Sequence, residues 1–128
     1  MIVLDHNIPE DQAEQLRRQR IHFQQVGFEV GRPEWDDQQE ILRFLHATKQ
    51  VTFFTRDVGF FRARWCHANY CLVVLNVPVL ETAHYIRKVL RHPEFKTRAK
   101  RNGKVLKVST DRITLWEARP QRRRTSHW

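Results

Sequence analysis

Apolar residues fall along this chain in short runs that predict strands separated by helices. The run at 70–77 is apolar almost throughout, which is typical of a central strand buried on both faces of a parallel sheet. Shorter β-favouring runs with Val, Ile, Thr and Phe predict further strands. Together the predicted strands are 1–4, 21–26, 50–55, 70–77 and a hairpin formed by 105–109 and 113–117.

Between these runs the apolar positions recur at the spacing of helices. They predict one helix over 9–20, in which Asn7 is placed to cap the free amides and Pro9 suits the first turn. A second helix opens at 35–40 and a third covers 81–90, while 58–65 and 93–101 predict shorter turns or helices. The alternation of strands and helices predicts one α/β domain over 1–118 with a mainly parallel sheet. Residues 119–128 carry four arginines and no apolar pattern, so a mobile basic tail is expected there.

Two carboxylates follow predicted strands directly. Asp5 ends the first run and Asp57 follows the run at 50–55, and the carboxyl ends of parallel strands meet at one rim, where ligand groups gather. Asn7 and Thr55 add neutral oxygen and amide groups at the same strand ends, and His6 and Arg56 lie beside them. The competing interpretation of Asp57 is a turn residue ahead of Val58 and Gly59.

A third acid is expected from the start of the second helix, where the sequence reads WDDQQE. Glu40 or Asp37 is the candidate, and the choice between them stays open. The structural alternative is that Asp36 or Asp37 caps the helix and Glu40 completes a capping box. Clustered carboxylates favour Mg²⁺ or Mn²⁺, which take oxygen ligands and activate water for attack on a phosphodiester.

Charge is distributed very unevenly. Residues 1–86 hold nine Lys/Arg and eleven Asp/Glu, a net of −2, whereas residues 87–128 hold fourteen and three, a net of +11. Such asymmetry favours a polyanionic partner, most naturally nucleic acid, over a merely solvated surface. The side chains expected to follow a phosphate backbone are Lys96, Arg98, Lys100, Arg101, Lys104 and Lys107. Trp35, Trp116 and Trp128 are candidates for stacking on bases, although Trp116 in the hairpin is better suited to the core.

Four segments together resemble the PIN-like family of small proteins related to VapC-type toxin ribonucleases, the DUF5615 group. They are LDHNIP, WDDQQEIL, VTFFTRDVGFF and CLVVLNV, and the resemblance covers roughly 1–90, with the hairpin also expected. It implies a three-layer α/β/α fold and a Mg²⁺- or Mn²⁺-dependent ribonuclease site. In that site Asp5, Asp57 and Glu40 or Asp37 hold the ion, with Asn7, Thr55, Arg56 and His6 beside them. Relatives commonly read T-x-D-x-D-F, whereas this chain has Gly59 in the second acidic position.

Two functions from different classes follow from these observations. The first is a metal-dependent endoribonuclease of PIN type, a candidate toxin of a toxin–antitoxin pair; the second is a catalytically weakened PIN-like module that binds RNA or a protein. A DNA-binding domain rests on charge alone. RNA and an antitoxin protein are the expected partners, with a homodimer as a further option. The two cysteines, Cys66 and Cys71, make neither a disulfide scaffold nor a zinc pattern. Since no signal segment or membrane-length apolar run is present, a cytoplasmic protein without membrane contact is expected.

Overall fold

The computed structural model describes residues 1–35 and 38–128 and contains one mixed α/β unit built on a seven-stranded sheet. The spatial order of the strands is β2-β1-β3-β4-β5-β6-β7. The pairs from β2 through β5 are parallel, and β5–β6 and β6–β7 are antiparallel. The strands are β1 Ile2–Leu4, β2 Gln24–Gln25, β3 Val51–Thr55, β4 Tyr70–Leu75, β5 Lys104–Val108, β6 Arg112–Ala118 and β7 Gln121–His127. The prediction of a mainly parallel sheet with a C-terminal hairpin is therefore confirmed.

Helices connect the parallel strands. They are α1 Glu10–Arg18, α2 Gln38–Thr48, α3 Thr82–Arg91 and the one-turn α4 Arg98–Arg101. Three short 3₁₀ turns, at Val58–Phe60, Ala63–Trp65 and Val79–Glu81, complete the connections. No helix within the described ranges is long and apolar enough to cross a membrane.

The core has two halves, one on each face of the sheet. Alternate residues of β4 point to opposite sides, and every one of them is buried because helices pack on both faces. Cys71, Val73 and Leu75 join residues of α1 and α3 in what we call the α1/α3 core. Tyr70 and the following alternate residues join α2 in the α2 core. The sheet thereby holds the carboxyl ends of β1 and β3 at a fixed separation.

The C-terminal segment differs from the expectation. The prediction of a mobile tail over 119–128 is wrong, because β7 pairs with β6 along its whole length, from Ala118↔Gln121 to Arg112↔His127. Its side chains are almost all polar, so the segment lacks the apolar alternation by which a strand is recognised. Ion pairs instead of apolar contacts hold this strand: Glu117 of β6 is contacted by Arg122 at 2.8 Å and by Arg124 at 2.7 Å.

Candidate functional site at the ends of strands β1 and β3

The ends of two neighbouring parallel strands form the candidate site. Leu4 of β1 lies beside Phe54 of β3, and the amide N–H of Asp5 donates to the carbonyl of Phe54 at 2.8 Å. Asp5 and the segment from Thr55 to Asp57 therefore leave the sheet at the same rim, as the sequence predicts for parallel strands.

Asp5 is buried at this rim, with 2% of its surface exposed. Its Oδ1 accepts the backbone N–H of His6 at 2.8 Å and lies 2.8 Å from the His6 Nδ1, while Oδ2 accepts the Thr55 hydroxyl at 2.7 Å. Burial raises the pKa of the Asp5 carboxyl, although the hydrogen bonds from Thr55 and His6 act in the opposite direction. The carboxylate is thus held in place by the protein at both oxygens.

Thr55 links the two acidic residues. Its hydroxyl donates to Asp5 and accepts the backbone N–H of Asp57 at 3.0 Å and the side-chain amide of Asn7 at 3.3 Å. A hydroxyl has one donor and two acceptor lone pairs, so these three contacts use its capacity fully. Thr55 therefore fixes the spacing between the Asp5 loop and the Asp57 loop.

Asn7 belongs to this network and does not cap α1. Its Oδ1 accepts the backbone N–H of Arg56 at 3.1 Å, which joins the loop after β1 to the loop after β3. The residue at the cap position of α1 is Pro9, and it makes no side-chain capping bond. The capping prediction for Asn7 is wrong because the amide is used across the rim instead.

Asp57 caps the 3₁₀ turn Val58–Phe60. Its Oδ1 accepts the backbone N–H of Gly59 at 2.9 Å, which satisfies one of the free amides of that turn. The interpretation of Asp57 as a turn residue is therefore confirmed. Asp57 nevertheless lies at the rim, where it is only partly buried.

Gln38, the first residue of α2, reaches this rim with its side chain. A Cβ built on Gly59 would lie 2.3 Å from Gln38 Nε2 and 3.0 Å from Asp57 Oδ1, so the amide occupies the space over Gly59. Any side chain at position 59 has to displace the Gln38 amide. Sequence reasoning missed Gln38 because the phase of α2 against the sheet, which decides which residue faces the rim, is set by tertiary packing.

The expected third acid is not found among the described side chains. Glu40 lines a surface groove with Arg32, Trp35 and Arg43, and Asp5 and Asp57 do not line that groove. Asp37, like Asp36, lies outside the described residues. Within 1–35 and 38–128, no three His, Cys, Asp or Glu side chains are placed to hold one metal ion together.

The described residues therefore do not fit the three-acid metal site that the resemblance implies. They provide two carboxylates at the rim, both oxygens of Asp5 already accept protein donors, and Gln38 places a neutral amide beside Asp57. Mg²⁺ prefers charged oxygen ligands in near-octahedral arrangement, and an amide contributes no charge.

Arg56 and two glutamines hold the loops of the rim. Arg56 Nη1 donates to the Thr82 hydroxyl at 3.0 Å, which joins the rim to the first turn of α3. Gln25 Nε2 donates to the carbonyls of Asp5 and Ile8, each at 3.1 Å, and Gln12 Oε1 accepts the backbone N–H of Ala83 at 2.9 Å. The glutamines were missed by sequence reasoning, yet Gln12 lies four residues before Leu16, on the buried side of α1.

The six predicted phosphate-binding cations do not form one track. Arg101 is 5% exposed and donates to Thr52 Oγ1 and to the carbonyl of Phe95, each at 2.9 Å; its assignment to RNA is wrong because these buried contacts use its guanidinium. Lys104 and Lys107 lie three residues apart on β5, so their side chains point to opposite faces of the sheet. Lys96, Arg98 and Lys100 are exposed, and Lys100 Nζ donates to the carbonyl of Pro93 at 2.8 Å.

The three tryptophans that were candidates for stacking on bases each make contacts within the protein. Trp116 is half-buried against the α2 core, so its expected packing role is confirmed while part of its surface stays accessible. Trp35 packs on Phe44 with ring centroids 6.1 Å apart, and Trp128 Nε1 donates to the carbonyl of Ser109 at 3.0 Å.

Comparison of the chain with protein-family models, with curated proteins and with solved structures finds no match.

Proposed function

We propose that this protein is an RNA-binding module of PIN-like architecture whose acidic rim is a weakened form of a ribonuclease site. The observation that carries the proposal is the Gln38 amide at the rim, where it fills the space over Gly59 and lies beside Asp57. Because the Gln38 amide beside Asp57 carries no charge, it adds no third acid to Asp5 and Asp57 at the two strand ends.

Charge supports RNA as the ligand. The net charge of +11 over 87–128 resides on a folded part of the molecule, because β5, β6 and β7 all lie within it. Folded cations present a fixed pattern to a phosphate backbone and release its counterions on binding. Helices on both faces of a mainly parallel sheet are compatible with the PIN-like family that the sequence segments resemble. Because that family is related to ribonucleases, the resemblance supports RNA over DNA.

Binding is tested with the whole purified protein and fluorescently labelled RNA, by anisotropy at several salt concentrations. We expect saturable binding, and we expect the logarithm of the affinity to fall linearly with the logarithm of the salt concentration. Binding that is absent at low salt, or equal for an uncharged polymer, contradicts the proposal.

A second candidate function is the metal-dependent ribonuclease, as the toxin of a toxin–antitoxin pair. The specific observation in its favour is the network in which Thr55 joins Asp5 to Asp57 at the ends of adjacent strands. An antitoxin protein would then be a partner, and Asp36 or Asp37 is available in the sequence as a further acid.

Catalysis is tested by incubating the protein and a mixed RNA pool with Mn²⁺ or Mg²⁺. Under this second candidate, cleavage is lost in Asp5→Asn and Asp57→Asn, while both variants still bind RNA. Cleavage that is unchanged in both variants excludes this site, and binding without cleavage leaves the binding module as the function.

A further inference from the structure

One face of the C-terminal strands carries aromatic and cationic side chains together. The register pairs Val105 with Trp116 and Trp116 with Arg123, so these residues lie on one side of the sheet. Val105 belongs to the α2 core, which identifies this side as the α2 side. Lys107, two residues after Val105, lies on the same side.

This face is open beyond the edge of the α2 core. Trp116 and Lys107 are half-buried and Arg123 is exposed, as are Gln121 and Thr125 on the same side of β7. The 3₁₀ turn Ala63–Trp65 packs beside β6. It brings Trp65 against the α2 core on this side, and Phe61 lies there as well.

The cations on this face lie over the aromatic rings. Lys107 Nζ is 5.1 Å and the Arg123 guanidinium carbon 5.8 Å from the centre of the Phe61 ring. The same Arg123 carbon is 5.8 Å from the Trp116 ring, and Arg64 is 4.5 Å from the Trp65 ring. The negative face of an aromatic ring attracts a cation, so these contacts position the lysine and the arginines without an acidic partner.

The opposite side of the same strand is chemically different. Arg122 contacts Glu117, and Arg124 contacts both Glu117 and Glu94 at 2.7 and 3.0 Å. By contrast, none of the ion pairs between described residues involves Arg64, Lys107 or Arg123. Because side chains alternate along β7, Arg122 and Arg124, which are paired with acids, lie on one face. Arg123 lies on the other face and is available to a ligand.

We propose that this face, the aromatic–cationic face formed by Phe61, Trp65 and Trp116 with Arg64, Lys107 and Arg123, binds single-stranded RNA. The inference rests on the proposed RNA-binding function and deepens it by assigning the surface and the form of the RNA. Unpaired bases stack on the exposed parts of the rings, and the cations contact the adjoining phosphates. In a duplex the bases are stacked on one another. A duplex would therefore contact the cations of this surface through its phosphates, but its bases could not stack on the aromatic rings of the protein.

The position of Phe61 connects this face to the rim. Phe61 directly follows the turn Val58–Phe60, which Asp57 caps. The aromatic–cationic face therefore includes a ring only four residues along the chain from Asp57, an acid of the rim. Arg123 lies over both the Phe61 and the Trp116 rings, and Trp116 continues the face toward the sheet edge.

Two charge-matched double variants test the cations. Lys107→Gln with Arg123→Gln alters the proposed face, and Arg20→Gln with Lys49→Gln removes the same charge from exposed positions in the first 86 residues. With a labelled single-stranded oligouridine, we expect the first pair to reduce the slope of log affinity against log salt by about 1.4. The control pair should leave the slope close to that of the unaltered protein.

The rings are tested by comparing Trp116→Leu with Trp116→Phe, after thermal unfolding has shown that both fold. Leucine should weaken oligouridine binding about fivefold or more, and phenylalanine should retain it, because only an aromatic side chain stacks. The same oligonucleotide without bases, and a duplex of equal length, should bind the unaltered protein less tightly than oligouridine.

Equal effects of the two charge pairs, or equal binding of the strands with and without bases, would overturn the assignment of this face while leaving RNA binding intact. Displacement of oligouridine by an acidic peptide, with no dependence on bases, would overturn it in favour of a protein partner. If the unaltered protein binds no RNA, the proposed function itself fails. These results are distinguishable because each involves a different probe.

Discussion

Position 59 shows how a single residue changes the chemistry of the rim. Gly59 leaves room for the Gln38 amide, and the amide in turn occupies the volume that a side chain at 59 would need. The two residues are therefore coupled, and substitutions at one should depend on the identity of the other.

Acids at both positions should give the rim a three-carboxylate metal site, which the described residues do not form. In Gln38→Asp with Gly59→Asp, the added carboxylates join Asp57, and their mutual repulsion is relieved by a divalent cation. We expect the melting temperature of this variant to rise when Mn²⁺ is added. The isosteric control, Gln38→Asn with Gly59→Asn, should show no such rise; an equal response from the control would contradict the coupling.

Asp5 should make stability depend on pH. Because burial raises the pKa of its carboxyl in the folded protein, the folded state binds the proton more tightly than the unfolded chain does. The stability associated with the protonated form is complete below the unfolded pKa of about 3.9 and is lost as pH rises through the higher folded pKa. The free energy of unfolding of the unaltered protein, minus that of Asp5→Asn, should therefore fall across this interval in urea titrations. A difference that rises with pH would show that the pKa is lowered instead.

At the scale of elements, β7 depends on Glu117. Burial alone would raise the pKa of this carboxyl, but hydrogen bonds from Arg122 and Arg124 outweigh it and hold the pKa below its ordinary value. Glu117 is only 7% exposed. Its ion pairs with Arg122 and Arg124 therefore hold strand β7 to strand β6 through a buried carboxylate.

Replacing Glu117 by Gln should therefore loosen the last strand. We expect a loss of about 2 kcal/mol in the free energy of unfolding at neutral pH, because charge-assisted hydrogen bonds to two arginines are lost. Since the pKa is lowered in the folded state, this contribution is present above the unfolded pKa and disappears as pH falls through the folded value. Urea titrations at neutral and acid pH, with Asp111→Asn as an exposed control, measure it.

Sequence patterns revealed the elements that bury apolar side chains and missed the strand held by polar contacts. The strands β1, β3 and β4 were predicted from short runs of β-favouring residues, and every residue of β3 and β4 is buried. The strands β5 and β6 and the helices α1, α2 and α3 were predicted because their apolar side chains repeat with the period of the element. β7 was missed because its partners are Glu117 and Glu94 rather than the core. At the site, Asp5 and Thr55 to Asp57 were found because strand ends meet at one rim. Gln38 and the rim role of Asn7 were not, since they depend on how helix and loops pack.

At the scale of the whole molecule, charge and fold are divided between two parts of the chain. The first 86 residues carry a net charge of −2 and supply the rim, whereas residues 87–128 carry +11 and supply α4 and the strands β5–β7. The two parts share one sheet through the β4–β5 pairing. A ligand held by the cationic part is thereby positioned with respect to the rim.

RNA should therefore stabilise the entire fold. A ligand that binds the folded state alone adds about 2.7 kcal/mol at a free concentration of 100 Kd, so single-stranded RNA should raise the melting temperature. The rise should shrink as salt increases, because counterion release drives the binding. Thermal unfolding followed by circular dichroism, with and without RNA at low and high salt, measures the effect. A rise that is independent of salt would contradict an electrostatic contribution.

The position of β7 at the end of the strand order has a consequence for self-association. An edge strand exposes unpaired N–H and C=O groups along one side and is a ready template for a second copy. The edge formed by β7 carries three consecutive arginines at 122–124, so an antiparallel copy would bring like charges opposite one another. The strand that completes the sheet thus also protects it from growing into fibrils.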